Sequence, residues 1–196
     1  MRIQVLAAAI AMAGICAWAD QPPAPGAERS VTVCMEIGTD GLMRTTAQPL
    51  VSRIFAEIGV RIERAREKRA CIADEGVVVG LSYETPSIKY LNAWGYALPY
   101  ERTHLVVFYD RVQQTIRETG ANNLLAYVLV HELTHMLQGV NRHSKSGIMK
   151  AAWDRGDYFD MGRGALRFAP EDVRLLYIGL DVRQAHLVAR AAGAGK

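Results

Sequence analysis

Apolar residues along this chain follow two periods. Residues 31–37, 76–83 and 104–109 are short apolar or alternating runs that predict strands, and 60–62 predicts another. Within 42–60, Leu50, Val51, Ile54, Phe55 and Ile58 recur at helical spacing, with Pro49 at the start and Gly59 at the end. A second helix is predicted over 110–118, stopping at Gly120. Asn122 reads as the cap of a third, whose Leu124, Leu125, Val128 and Leu129 lead into a polar cluster. Pro170, Glu171 and Asp172 open a last helix through Leu175, Leu176 and Ile178. An aromatic-rich stretch over 87–102, broken by Gly95 and Pro99, predicts a short edge strand over 95–98. There is no internal repeat, and this order of elements predicts an α+β domain.

The N-terminal pattern is different. Arg2, an apolar run over 5–18 and Ala17-Trp18-Ala19 before Asp20 read as a secretory signal peptide over residues 1–19. The run is too short for a membrane span, so no stable span is expected after cleavage. Residues 20–30 hold three prolines and a glycine and read as an extended leader. The basic stretch over 64–69 reads as a solvated loop. The remainder, 31–196, has the length of one domain.

Composition adds exclusions. Of 196 residues, 50% are hydrophobic and 22% charged, which excludes a disordered or coiled-coil chain. A net charge of +3 is too small to indicate a nucleic-acid binder. The cysteine count of 3 is odd, but signal cleavage removes Cys16. That leaves Cys34 and Cys71, read as one disulfide in a secreted or periplasmic protein, with two buried thiols as the alternative.

The chemistry lies in the placement of histidines: His131, His135 and His143 fall within 13 residues, out of 5 in the chain. On a helix, positions i and i+4 share a face, so His131 and His135 reach one metal ion. Glu132, between them, reaches a water on that metal without being a ligand. Gly139 permits the left-handed turn that swings the chain back and brings His143 towards the other two. Three imidazoles and an open position point to one catalytic zinc ion rather than a closed structural site.

The stretch HELTHMLQGVNRHSKSGIM resembles the metzincin zinc metalloproteases, and His143-Ser144 is most similar to their matrixin branch. The resemblance implies His131, His135 and His143 as zinc ligands, Glu132 as general base, and Met149 as the methionine of a turn beneath the metal. It also implies a metzincin-like α+β domain with a mixed twisted sheet and an active-site helix. That domain divides into 31–139 and a small C-terminal subdomain, 140–196, with one helix. Two departures stand out: Gly139 comes one residue later than in the family, and His143 two residues later. The helix must therefore extend or the loop bulge. Ala151 stands where astacin-like relatives carry a tyrosine ligand, so no fifth ligand is expected. Residues 20–30 contain no cysteine of the kind found in inhibitory prosegments.

Other third ligands stay open: Glu171, as in gluzincin-like proteases, or Asp154 or Asp157, as in aspzincin-like ones. His104 and His186 read as ordinary surface or packing residues. Trp94 and Trp153 read as core or rim aromatics, with Trp153 close enough to the methionine turn to line a pocket. The expected activity is that of an exported zinc endopeptidase acting on peptide or protein substrates, with an extended peptide lying along the 94–99 segment. The alternatives are a metal-binding, non-proteolytic exported protein or a zinc amidase with a non-protein substrate. Oligomeric state is not readable from the sequence.

Overall fold

A computed structural model describes residues 29–35, 45, 47–65, 71, 76–84, 93–98 and 103–194. The signal peptide, nearly all of the proline-rich leader, and most of the basic 64–69 stretch lie outside them.

Five strands form one sheet: β1 (Arg29–Met35), β2 (Val60–Arg64), β3 (Val77–Ser82), β4 (Gly95–Ala97) and β5 (His104–Phe108), in the order β2-β1-β3-β5-β4. The first four in that order run parallel, while β4 pairs antiparallel with β5 and forms an edge. The mixed sheet expected from the sequence is therefore present. Helix α1 (Gln48–Ala56) makes the crossover from β1 to its parallel neighbour β2. Helix and strand thus interleave more than an α+β order anticipates, giving a mixed α/β fold. Parallel strands covered on both faces need apolar side chains on both, and the run Val77, Val78 and Val79 supplies them. Val77 and Val79 join the main core. Val78 points the other way, into a small cluster with Cys34 and Cys71.

Those two cysteines form a disulfide between residues 37 positions apart. In the chain-entropy account, closing a loop of that size stabilises the fold by about 4 kcal/mol at most.

Helix α2 (Tyr109–Thr119) follows β5 directly and ends at Gly120 with φ +70°. Helix α3 (Leu124–Gln138) is the centre of the molecule, with every residue buried. A helix apolar on nearly all sides is stable only when enclosed. Here α1, α2, β4, β5, α4 (Arg155–Gly162) and α5 (Pro170–Ala194) enclose it. Helix α5 approaches closely at Gly179, where a Cβ would stand 1.9 Å from the Leu137 carbonyl oxygen.

Three expectations need correcting. The first strand, Arg29–Met35, begins two residues before the expected 31, while positions 36–37 of that expectation lie outside the described residues. The residue capping α3 is Asn123, not Asn122, and its side chain makes no cap bond. Its amide instead donates to the Met161 carbonyl at 2.9 Å, in the last turn of α4, and so ties the two helices together. Two helices, α4 and α5, follow residue 139 where one was expected. Only Met161 of α4 is buried, so α4 leaves no apolar period in the sequence. Among the described residues, no helix is long and apolar enough to cross a membrane.

Candidate metal centre

The site grows out of the last two turns of α3. His131 and His135, one turn apart, bring their Nε2 atoms within 3.1 Å. The helix then continues to Gln138, and Gly139, at φ +69°, reverses the chain. This extension absorbs part of the long spacing to His143. The ring of His143 comes to rest 5.2 Å from that of His131 and 4.9 Å from that of His135, between centroids. One ligand nitrogen from each of the three lies within 4.8 Å of the others.

Backbone carbonyls set the two helical imidazoles. His131 Nδ1 lies 2.9 Å from the Ile148 oxygen, and His135 Nδ1 lies 3.2 Å from the Val140 oxygen. A carbonyl only accepts, so both Nδ1 atoms carry the proton, and both Nε2 lone pairs face the shared space. The Ile148 carbonyl is itself held in a tight turn. Lys150 N–H donates to the Gly147 carbonyl at 3.2 Å, and Ile148 N–H donates to Arg167 at 3.0 Å. Gly147 sits at φ +75°, and a Cβ there would meet the Arg167 oxygen at 2.4 Å, so only glycine fits. Met149 in this turn is fully buried in the core.

The loop bearing His143 is fastened on both sides. Arg142 donates to Asp172 Oδ1 at 3.0 Å, and the Ser144 hydroxyl donates to the same oxygen. Asp172, in the first turn of α5, is fully buried. Its backbone carbonyl accepts from the Gln138 amide at 3.0 Å, tying the loop's anchor to the end of α3.

Burial keeps these imidazoles neutral. Desolvation, then the neighbouring His135, holds His131 down to about 3, and desolvation, then His143, holds His135 down to about 4. Burial also lowers His143. Burial pushes Glu132 the other way, up to about 8. Glu132 is 7% exposed, and among the described residues nothing hydrogen-bonds its carboxylate.

Glu132 faces a cleft of about 390 Å³, whose walls include Trp94, Tyr96, Leu98, Val128, Lys150 and Trp153 together with the three histidines. Strand β4 forms one wall. Gly95 lets it lie close against β5, since a Cβ there would meet the Val106 oxygen at 2.5 Å, and the same position faces Glu132 Cγ of α3 at van der Waals distance. The Arg111 guanidinium donates to the Ala93 carbonyl and holds the start of this segment. Among the described residues, no strand pairs with the outer side of β4.

The donor set fits zinc. Three neutral imidazoles suit a borderline-soft ion, and two ligands at roughly 2.0–2.1 Å in a tetrahedron stand about 3.3 Å apart. The 3.1 Å between His131 and His135 matches this. The widest gap, 4.8 Å, exceeds that tetrahedral separation. The exposed His143 ring therefore has to close by roughly 1.5 Å. The acidic alternatives are engaged elsewhere. Glu171 pairs with Arg174, and Asp154 and Asp157 bind Lys150 and cap α4. His104 is exposed beside Thr103, and His186 is exposed on α5. Asp172, which in the sequence is only a first-turn acid of the last helix, is the anchor of the His143 loop in the structure. Its place with Leu176, Gly179 and Arg183 on one helical stripe was the available signal.

No protein-family model matches the chain, and no curated protein does. Among solved structures, archaemetzincin from Methanopyrus kandleri aligns over 82% of this chain and 99% of that one, with a TM-score of 0.48 and 16% identity.

Proposed function

We propose that this chain is an exported endopeptidase of metzincin type, dependent on one zinc ion held by His131, His135 and His143. The observation that carries this reading is the convergence of three imidazoles beside a buried Glu132, whose carboxylate no described residue hydrogen-bonds, in an open cleft. Export is supported by the signal-like pattern over 1–19 and by the Cys34–Cys71 disulfide.

When bound, zinc supplies Lewis acidity, polarising a carbonyl and making water acidic enough to ionise near neutrality. The chain's own residues do the rest. An extended peptide gains main-chain hydrogen bonds along the outer side of β4, with which no described strand pairs, and this sets its backbone across the cleft. Glu132 has a proton affinity raised by burial and, among the described residues, no competing partner, so it accepts a proton from the attacking water and passes it to the leaving amine. Trp94, Tyr96 and Trp153 wall the cleft and displace bulk water from around the carboxylate. Met149 supports the ligands by packing alone.

The test is cleavage of an unfolded protein by the purified chain, with and without a chelator. Glu132→Ala should retain zinc and lose at least about 100-fold in rate. Undiminished cleavage by that variant would sink the general-base role. Zinc binding without any peptide cleavage would favour the binding-protein or amidase alternative.

A further inference from the structure

Two side chains meet at one backbone oxygen beside the histidines. The Ile148 carbonyl accepts from His131 Nδ1–H at 2.9 Å and from the Trp153 indole N–H at 3.2 Å. A carbonyl oxygen has two lone pairs, so these donors occupy both. The indole also stands edge-on to the His131 ring, with centroids 5.5 Å apart and planes at 85°. Trp94 stacks on the indole at 6.4 Å and 26°, and Trp153 is 9% exposed.

Building on the zinc reading above, we propose that Trp153 is a positioning residue for the first metal ligand. Its N–H fixes the direction of the Ile148 carbonyl, and its ring edge fixes the plane of the His131 imidazole. Held by His131 alone, that carbonyl could tilt within its turn and take the imidazole with it. The second donor and the packed ring remove both motions before an ion arrives. A ligand set that needs less ordering binds its metal more tightly, and partners of ligating histidines matter to affinity for this reason. Trp153 therefore acts through His131 as well as lining the cleft.

The experiment compares the purified chain with Trp153→Phe and Phe55→Leu. It measures zinc affinity by chelator competition and ligand geometry by cobalt(II) absorption. Phenylalanine keeps a buried ring but has no N–H, whereas Phe55→Leu weakens the core at α1. Trp153→Phe should bind zinc about tenfold more weakly or worse and shift the cobalt bands, while Phe55→Leu changes neither. Equal affinity with unchanged bands in Trp153→Phe, or equal losses in both variants, overturns the proposal. His131→Ala separates this from the zinc reading. If it leaves metal affinity unchanged, both fail; if it abolishes binding while Trp153→Phe does nothing, only the positioning role fails. Should Trp153→Phe not fold, proton NMR of the metal-free chain decides. The His131 Nδ1 and Trp153 Nε1 protons should exchange slowly and show a mutual cross-relaxation signal, and the absence of that signal overturns the proposal.

Discussion

Ser144 donates its hydroxyl to Asp172, 28 positions further along the chain and on another element. Arg142 bonds the same oxygen, so the residues on either side of His143 share one buried anchor. This is how a loop longer than the metzincin spacing still delivers a third imidazole.

Asp172→Ala should free His143 while leaving His131 and His135 on their helix. Zinc affinity is expected to fall about 10–100-fold, the range seen when supporting partners of ligands are removed. Competition with a chelator measures it. Wild-type affinity in this variant would show that the loop holds His143 without its anchor.

His143→Ala should bind zinc far more weakly than wild type, whereas Glu171→Ala should bind it normally, because Glu171 is engaged by Arg174. Metal content after dialysis distinguishes them. The reverse pattern would move the third ligand to the acidic residue.

Glu132→Gln should stabilise the metal-free chain in alkali. A carboxyl raised from 4.5 to about 8 contributes fully below its unfolded value. Between those values the folded state binds the extra proton, so stability falls as pH rises through 8. At about 1.36 kcal/mol per unit this is on the order of 5 kcal/mol at pH 8 and above. The glutamine variant lacks that loss. Its melting temperature should exceed wild type by roughly 10–20 °C at pH 8, with the gap closing near pH 4.5. A gap that does not vary with pH would sink the argument.

Gly179→Ala should destabilise the fold by about 3 kcal/mol or more, because the new methyl meets the backbone of Leu137 and Gln138 rather than movable side chains. Denaturant unfolding reads this directly. A loss under about 1 kcal/mol would mean that α5 does not cross α3 so closely.

Much of this was legible because local signals and packing agree. Gly59, Gly120 and Gly139 all sit at positive φ where helices or turns end, as their places in the sequence implied. The edge strand was readable from Gly95, and the ligand face of α3 from the i, i+4 histidines. Helix α4 was not, since a polar capping box between Asp154 and Asp157 defines it rather than an apolar stripe. Those carboxylates read as potential ligands because sequence alone cannot show that Lys150 and backbone N–H groups engage them. Asp172 and Trp153 act through partners 28 and 5 residues away, contacts that only the folded chain creates.

Helix α3 carries two of the proposed ligands and is also the centre of the core. Its middle amides, at 131–135, lie within the hydrogen-bonded interior of a buried helix and are expected to exchange slowly with solvent. The loop over 140–147 has no such protection, being exposed or half-buried along its length. With the proposed ligand set, zinc release is expected to begin with His143 while the helical pair stays in place. The lifetime of a bound ion should then follow the opening of this loop, and variants that stiffen it should slow zinc release without raising the melting temperature.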